Sequence, residues 1–339
     1  MAQQELRSTA RALVAEGKGI LAADESSGTI QKRFDGVGVE CTEESRRAYR
    51  ELLFTAPGVE EYISGVILFD ETIRQKAKDG TPFPKLLERR GILPGIKVDA
   101  GAKEMAGFAG EKATEGLDGL RERLAAYRDL GARFAKWRAV ITIGPGIPTP
   151  GCIEANAEAL ARYAALCQEG GVVPIVEPEV LMDGDHPLER CEEATTTALR
   201  AVFARLALHR IALEGMILKP NMVVSGKACP KQAGAEEVAE ATLRTFRRVV
   251  PAAVPGIAFL SGGQTPEAAS AHLNAMSARG PHPWALSFSY SRALQDPVLK
   301  AWRGAAASAA AAQRVFLHRA RCNSLARAGR YSRDLESAA

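Results

Sequence analysis

Short apolar segments recur along the chain, and stretches with helical spacing separate most of them. The apolar segments have the length of buried strands, and they cover residues 19–24, 64–70, 95–99, 133–140, 172–180, 215–221, 256–263 and 284–290. Between them, apolar residues fall three and four positions apart, as in an amphipathic helix. One such stretch contains Leu117, Leu120 and Leu124 and ends at Gly131, where a glycine suits a helix C-terminus. The pattern predicts eight strands that alternate with helices.

Eight strands alternating with helices in a chain of this length are typical of a (β/α)8 barrel. We therefore predict an α/β fold, a single-domain TIM barrel over residues 1–339. The Ala-rich residues 301–329 predict a long C-terminal helix, and the polar residues 332–339 predict a flexible tail. A doubly wound open sheet is the alternative, because alternation alone does not close a barrel. The first strand lacks the G-x-G-x-x-G turn of that fold, which favours the barrel.

The composition is that of an ordinary globular protein, with 46% hydrophobic and 25% charged residues among 339. The formal net charge is +4, and basic residues alternate with acidic ones along the helices. Because there is no arginine-rich arm, we expect no nucleic-acid partner. No apolar segment has the length of a membrane span and the N-terminus lacks an apolar signal region, so we expect no membrane partner. A small anionic molecule suits the modest positive charge.

The cysteines and histidines suggest neither disulfides nor a bound metal. The six cysteines are scattered without a C-x-x-C spacing, which indicates reduced thiols and a cytoplasmic location. The five histidines include no closely spaced pair, so the sequence predicts no metal site and no cofactor. Histidines and carboxylates can nevertheless assemble across a fold without local spacing.

The segment "GMILKPNM", residues 215–222, places Lys219 directly after three apolar residues and before a proline. Lysine is seldom buried without a partner, and burial favours its neutral amine. A neutral amine is a nucleophile that forms Schiff bases with carbonyl compounds. The common alternative is a lysine at a strand end that simply reaches solvent.

Charged residues stand near the C-terminal ends of five predicted strands. The catalytic groups of a barrel come from these ends, which open into one mouth. The residues are Asp24, Lys97, Asp99, Lys136, Arg138, Glu177, Glu179 and Lys219. Glu177 supplies a carboxylate for acid–base catalysis, and a second cation such as Lys136 favours the neutral form of a neighbouring amine. The joint pattern favours a Schiff-base site.

Two further regions suggest phosphate binding. Ser261, Gly262 and Gly263 leave the seventh strand and lead into a helix that begins at Thr265 and Pro266. The eighth strand and the segment after the first strand add hydroxyl and basic groups: Ser289, Arg292, Ser26, Thr29 and Arg33. Glycine turns and arginine side chains both bind phosphate, although an ordinary turn and a capped helix start would look the same. Two such regions beside an amine would suit a bis-phosphorylated carbonyl substrate.

The motifs together closely resemble those of class I (Schiff-base) fructose-1,6-bisphosphate aldolases, from about residue 5 to about residue 331. In the family order they are "GKGILAADES", "GIKVD", "FAKWR", "VPIVEPE", "LEG…LKPN", "FLSGGQ" and "WALSFSYSRALQ". The resemblance implies reversible cleavage of fructose 1,6-bisphosphate to dihydroxyacetone phosphate and glyceraldehyde 3-phosphate. It also implies a place in glycolysis and gluconeogenesis and a homotetramer.

The family's catalytic roles carry over to matching positions. Lys219 would form the Schiff base, and Glu177, supported by Glu179, would handle dehydration of the carbinolamine. Asp24 would take the proton of the C4 hydroxyl group as the C3–C4 bond breaks. Lys136 would polarise the pocket.

The family's binding roles carry over in the same way. Arg138, with Lys136, would orient the substrate. The sugar and its distal phosphate would lie against Ser26, Thr29, Arg33 and Lys97. The phosphate of the dihydroxyacetone half would lie against Ser261, Gly262, Gly263, Ser289 and Arg292.

Three positions depart from the family pattern. Ser291 stands where the family usually has glycine, which would alter substrate affinity if a positive φ or a close backbone approach is needed there. Thr29 stands where serine is common and keeps the hydroxyl group. The family's tail ends in a tyrosine that assists proton transfer, whereas the last tyrosine here is Tyr331. Either another group moves that proton, or the step is slow, or the chain is shortened.

Other functions stay open at the level of sequence. Another Schiff-base enzyme, such as a transaldolase-like enzyme or an aldolase for a monophosphorylated sugar, would share the reactive lysine. A scaffold or binding protein on the same fold would have no need of Lys219, Glu177 and Asp24, and their presence argues against it. The histidine pattern disfavours a zinc-dependent aldolase.

Overall fold

The central element of the molecule is a closed barrel of eight parallel strands, in a computed structural model that describes residues 2–338. Its strands are β1 (Gly19–Ala23), β2 (Ile63–Leu68), β3 (Leu93–Lys97), β6 (Phe134–Ile141), β7 (Val173–Val180), β8 (Ile217–Leu218), β9 (Gly256–Phe259) and β10 (Ala285–Tyr290). Neighbours follow the order β1, β10, β9, β8, β7, β6, β3, β2, and β2 pairs with β1 to close the ring. The predicted barrel is confirmed, and the open sheet is wrong.

A short antiparallel hairpin, which the apolar pattern did not predict, follows β3. It consists of β4 (Ala102–Glu104) and β5 (Lys112–Thr114). Neither strand is fully buried, and this explains why they lack the apolar runs that revealed the barrel strands.

Twelve α-helices lie in the described part of the chain, and most connect consecutive barrel strands. They are α1 (Ala2–Leu13), α2 (Ser27–Asp35), α3 (Glu43–Phe54), α4 (Asp70–Arg74), α5 (Phe83–Arg89), α6 (Leu120–Asp129), α7 (Pro150–Glu169), α8 (Leu188–Leu208), α9 (Ala235–Val249), α10 (Pro266–Ser277), α11 (Arg292–Trp302) and α12 (Ala309–Arg327). The predicted start of α10 is confirmed: the Thr265 side chain accepts a hydrogen bond from the Ala268 amide, and Pro266 is the first helical residue. Within residues 2–338, every helix is too short or too polar to cross a membrane.

The long C-terminal helix begins later than the Ala-rich sequence predicts. Helix α11 ends at Trp302, because Arg303 (φ 47°) and Gly304 (φ 75°) adopt left-handed conformations that a helix cannot continue through. Helix α12 then runs from Ala309 to Arg327.

Residues 333–338, in the predicted tail, form a 3-10 turn against α12. Glu336 forms an ion pair with Arg319 of that helix and accepts a hydrogen bond from the Tyr331 hydroxyl group at 2.6 Å. The flexibility of the tail stays a prediction, and its last residue, Ala339, lies outside the described residues.

Apolar side chains fill the amino-terminal end of the barrel interior, beside α1. The ring of Phe134 packs where Gly65 and Gly95 leave room, since a Cβ atom on Gly95 would lie 2.2 Å from the ring. The cluster contains Leu6, Ala10, Leu13, Val14, Ile20, Ala22, Ile67, Phe134, Val173, Ile175, Ile217 and Ala258. This cluster fills the amino-terminal end of the barrel and packs the strands against α1.

The carboxyl-terminal end of the same interior is charged. Residues two apart on a strand share a face. Lys136 therefore shares the face of Phe134 on β6, and Glu177 shares the face of Ile175 on β7. The strand register places Lys97 of β3 opposite Lys136. Strand geometry alone thus gathers side chains that lie far apart in sequence.

Candidate active site

A cavity of about 430 Å³ opens at the carboxyl-terminal end of the barrel. It is lined by Ala22, Asp24, Glu25, Ser26, Thr29, Lys32, Arg33, Lys97, Lys136, Arg138, Glu177, Glu179, Lys219, Leu260, Ser261, Gly262, Ser289, Ser291 and Arg292. Of the fifteen residues with an expected catalytic or binding role, Gly263 alone is not part of this lining, and it directly follows Gly262. The structure therefore brings the predicted residues together around one space.

Lys219 lies at the wall of this cavity and is only 3% exposed. Its backbone amide donates to the Val176 carbonyl at 2.8 Å, which extends the pairing of β8 with β7 by one residue. Its Nζ atom lies 3.2 Å from Oε1 of Glu177. The side chain is thus held against a carboxylate inside the barrel and does not reach bulk solvent, which excludes the solvated alternative.

Lys136 is equally buried and is surrounded by carboxylates. Its Nζ atom lies 2.7 Å from Oδ2 of Asp24, 3.5 Å from Oε2 of Glu177 and 4.0 Å from Oδ2 of Asp99. Burial would lower the pKa of Lys136, but Asp24, Glu177 and Asp99 outweigh it and hold the pKa well above its ordinary value. Lys136 is therefore a fixed positive charge.

The carboxylates of Asp24 and Glu177 face these two lysines. Burial would raise the pKa of Asp24, but Lys136 and Lys219 hold it well below the ordinary value of 3.8. Asp24 is therefore ionised and can accept a proton or a hydrogen bond. Oε2 of Glu177 is buried without a hydrogen-bond partner among the described residues. Lys136 lies 3.5 Å from this oxygen, but a buried oxygen that accepts no hydrogen bond is costly, so the atom is a natural contact for a bound molecule.

Arg138 and Glu179 form a second ion pair beside this group. Nε of Arg138 lies 2.5 Å from Oε2 of Glu179. Burial would lower the pKa of Arg138, but Glu179 raises it above its ordinary value, so the guanidinium stays charged. Asp99 contacts both Arg138 and Lys97. It accepts a hydrogen bond from the Arg138 amide at 3.2 Å and pairs with Nζ of Lys97 at 2.7 Å. The sequence showed Asp99 as a charge at a strand end, and the structure makes it the residue that positions Lys97.

One rim of the cavity is the start of α2. Ser26 precedes the helix, yet its hydroxyl group makes no capping hydrogen bond and instead lies 3.1 Å from the Thr29 hydroxyl group. This argues against a simple helix cap as the reason for the serine. Arg33 donates to Oε1 of Glu25 at 2.6 Å and to the Ser291 hydroxyl group at 3.0 Å. The rim presents two hydroxyl groups beside a guanidinium.

A second part of the rim is the turn after β9, two strands away from β1 in the barrel. Gly262 (φ 60°) and Gly263 (φ 99°) both adopt left-handed conformations, which favour glycine at both positions. The Ser289 hydroxyl group lines the cavity next to this turn, is 1% exposed and has no hydrogen-bond partner among the described residues. A buried hydroxyl group without a partner is a suitable contact for a ligand oxygen.

Glu25 is a buried residue of this site that sequence reasoning missed. It pairs with Arg33 at 2.6 Å and with Arg50 at 2.5 Å, and it accepts hydrogen bonds from Ser291 and Gln295 at 2.5 and 2.8 Å. Burial would raise the pKa of Glu25, but the two arginines hold it below its ordinary value. Arg50 and Gln295 lie on α3 and α11, so no local pattern could have revealed the group.

Ser291, the departure from the family's glycine, belongs to the same group. Its φ angle is −108°, an ordinary value for any residue, so a glycine-only conformation is not required here. Its hydroxyl group bridges Glu25 and Arg33. The serine thus adds a hydrogen-bonded link beneath the rim.

His318, Cys322 and Glu336 form a second cluster that the sequence did not predict, and their potential metal ligands lie within 4.8 Å of one another. They lie outside the cavity lining, and Arg319 already pairs with Glu336. Tyr331, the last tyrosine, also lies outside the lining.

Comparison with known proteins gives a consistent result. A family model described as "Glycolytic: Fructose-bisphosphate aldolase class-I" matches residues 5–339. A "Probable fructose-bisphosphate aldolase class 1" of Xanthomonas campestris is 60% identical over 332 residues, which are 98% of this chain and 99% of that protein. The cytoplasmic isozyme of spinach fructose-bisphosphate aldolase is 54% identical, over 96% of this chain and 92% of that protein. The solved structure of Plasmodium falciparum fructose-bisphosphate aldolase, in complex with TRAP and a small-molecule inhibitor, is 51% identical. The match covers 98% of this chain and 96% of the Plasmodium falciparum chain, with a TM-score of 0.96.

Proposed function

The chain belongs to the class-I fructose-bisphosphate aldolase family, and from that membership we propose how its own residues carry out the reaction. It is an aldolase, an enzyme that makes and breaks a carbon–carbon bond. We assign it the reversible cleavage of fructose 1,6-bisphosphate to dihydroxyacetone phosphate and glyceraldehyde 3-phosphate. The observation that supports this assignment most strongly is the buried amine of Lys219, 3.2 Å from Glu177.

The first half of the proposed reaction forms the Schiff base. Nζ of Lys219 attacks the C2 carbonyl carbon of the sugar, and the tetrahedral carbinolamine then loses its hydroxyl group as water. Glu177 is the group in position to move the protons, because its carboxylate lies within reach of Lys219 and its second oxygen makes no hydrogen bond among the described residues. Glu179 supports it by holding Arg138 in place.

The second half breaks the C3–C4 bond. Asp24 takes the proton of the C4 hydroxyl group, a carbonyl group forms at C4, and the bonding electrons pass into the protonated imine as an enamine. Lys136, fixed by three carboxylates, stabilises the negative charge that develops in this step. A proton added at C3 and water added at C2 then release dihydroxyacetone phosphate and restore Lys219.

The two rims account for the two phosphate groups. We place the distal phosphate and the sugar against Ser26, Thr29, Arg33 and Lys97, and the phosphate of the dihydroxyacetone half against Ser261, Gly262, Gly263, Ser289 and Arg292. Cationic side chains line the cavity beside both regions, with Arg33 on α2 and Arg292 at the start of α11 beside Gly263. This distribution suits a bisphosphate better than a monophosphate. Arg138 would orient the sugar between them.

The wider setting is also proposed. By similarity, the enzyme would act in glycolysis and gluconeogenesis, in the cytoplasm, as a homotetramer. All six cysteines are free thiols, five of them buried, which agrees with a reducing compartment. Residues 1–339 would act as a single domain, with a flexible tail over residues 332–339.

A cleavage assay on the purified chain tests this assignment. We expect the unaltered protein to cleave fructose 1,6-bisphosphate and the Lys219→Met variant to have no measurable activity, while its circular dichroism spectrum stays unchanged. Comparable activity on fructose 1-phosphate would indicate a monophosphate enzyme instead. No cleavage of either sugar by the folded protein would support a binding or scaffold role.

A further inference from the structure

Lys227, in the segment that follows β8, reaches Gly263 of the turn after β9. A Cβ atom placed on Gly263 would lie 3.0 Å from Nζ of Lys227 and 3.3 Å from Nη2 of Arg292. Both cationic groups therefore lie against the same glycine, where a side chain would otherwise stand. Lys227 is not part of the cavity lining, and the sequence motifs gave no reason to select it.

The backbone that carries Lys227 is firmly anchored. The amides of Gly226, Lys227 and Ala228 donate to the carbonyl groups of His186, Met182 and Gly184, each at 2.8 Å. The two segments are so close that a Cβ atom on Gly226 would lie 2.4 Å from the Gly184 carbonyl oxygen. The position of the Lys227 backbone is thus set by the loop after β7, and only the side chain is free to move.

The present partner of Lys227 is weakly held. Its Nζ atom lies 2.9 Å from Oδ1 of Asp183, but the two side chains are 42% and 64% exposed. Exposed ion pairs contribute little, because solvent screens both charges. Arg292 has no ion-pair partner anywhere in residues 2–338 of the structure. A phosphate with nearly two negative charges would compete well for both cations.

We propose that Lys227 is a further binding residue for the phosphate of the dihydroxyacetone half. Its ammonium group leaves Asp183 and closes over the glycine turn when the phosphate occupies it. The inference rests on the proposed function, since it assumes that this turn holds that phosphate. Asp183 then acts as the resting partner that keeps the lysine near the turn when the site is empty.

Steady-state kinetics of Lys227→Met, with Lys231→Met as the matched control, test the proposal. Lys231 is an exposed lysine four residues further along the same segment. We expect Lys227→Met to raise KM roughly fivefold for both fructose 1,6-bisphosphate and fructose 1-phosphate, with kcat unchanged, because it removes a charge-assisted contact made throughout the reaction. Lys231→Met should leave both constants unchanged. The difference should shrink as salt is added.

A binding experiment separates this proposal from the proposed function. Titration with inorganic phosphate, followed by 31P NMR, should show weaker binding to Lys227→Met than to Lys231→Met whether or not the protein cleaves sugars. Asp183→Asn, which frees the lysine, should bind phosphate at least as tightly as the unaltered protein. Identical phosphate affinity and KM in the two lysine variants would overturn the proposal, as would a fall in kcat at constant KM.

Discussion

The two ends of the barrel interior are lined by the same strands but differ in chemistry. On β6, Phe134 packs against glycines and apolar side chains, and nothing about it requires a polar partner. Two residues further along, Lys136 is 3% exposed and lies within 4.0 Å of three carboxylates. Both side chains are buried, but only the second needs partners on other strands.

The apolar end stabilises the fold, whereas the charged end makes it less stable than an apolar core would. Buried apolar side chains stabilise the folded state in proportion to the area removed from water. Buried charges are costly even when they are paired, and they often stabilise less than apolar residues of the same volume would. The charged end is therefore best explained by chemistry, and the apolar end by support of the strands.

Glu177→Gln tests the charged end and should have the largest effect. The amide keeps the shape of the side chain but cannot carry protons between Lys219 and the carbinolamine. We expect kcat for fructose 1,6-bisphosphate cleavage to fall by about 10² to 10⁴-fold, and stability to fall as well because buried Lys136 and Lys219 lose a charged partner. Ile175→Val on the same face of β7 is the control, and it should lower stability by about 1 kcal/mol without affecting kcat. Equal kcat values for the two variants would contradict the division between the ends.

Phe134→Ala tests the apolar end. Because Gly65 and Gly95 have no side chains to fill the space, the cavity should persist and the free energy of unfolding should fall by about 3–5 kcal/mol. Urea unfolding monitored by fluorescence measures this. The kcat of the protein that remains folded should change by less than roughly twofold. A large loss of kcat at unchanged stability would mean that this end also serves the chemistry.

The pH dependence of stability separates the charged end from His272, a histidine on α10. Burial lowers the pKa of His272 from 6.5 to about 4. Between these values the unfolded chain binds a proton that the folded chain does not, so the free energy of unfolding rises with pH in this window. Because of His272, we expect the free energy of unfolding to be larger above pH 6.5 than near pH 4 by at most about 3 kcal/mol. This stability is fully present above pH 6.5 and is lost as the pH falls toward 4.

Urea unfolding of His272→Gln at pH 4.5, 5.5 and 7 checks that expectation. The variant should show a flatter pH profile, with a remainder from His186, whose pKa burial also lowers. The pKa of Asp24 is held below 3.8, so its contribution is lost only as the pH falls further. An unchanged profile in His272→Gln would contradict the assignment of this pH dependence to His272.

Ser291→Gly should have the smallest effect. It removes the hydroxyl bridge between Glu25 and Arg33 and leaves their ion pair, so stability should fall by about 1 kcal/mol. A less firmly held Arg33 should raise KM for fructose 1,6-bisphosphate by about twofold and leave KM for fructose 1-phosphate unchanged. Ser291→Ala, which keeps an ordinary backbone, should behave in the same way. A change in the glycine variant alone would point to backbone freedom at this position.

Much of the charged end could be predicted from the sequence. The inward-facing residues at the C-terminal ends of all barrel strands line one cavity. Lys136, Glu177 and Lys219 could therefore be assigned to that cavity from their positions in apolar segments alone. What could not be predicted is which oxygen each lysine contacts. Those contacts depend on the register between strands, and the register is set by packing across the whole barrel.

The parts that escaped prediction depend on contacts between distant helices. Glu25 is buried because Arg50 and Gln295 approach it from α3 and α11. The break before α12 depends on Arg303, a residue whose side chain gives no sign of a left-handed backbone. Lys227 lies next to Gly263 only because the segment after β8 is bonded to the loop after β7.

The most direct test of the central claim is peptide mass spectrometry after borohydride reduction, with dihydroxyacetone phosphate present or absent. Reduction converts an imine into a stable secondary amine, so the adduct marks the lysine that formed it. We predict an adduct of substrate mass on the peptide that contains Lys219, and only when the ligand is present. An adduct on Lys97 or Lys136, or no adduct from a protein that cleaves the sugar, would contradict the assignment of Lys219.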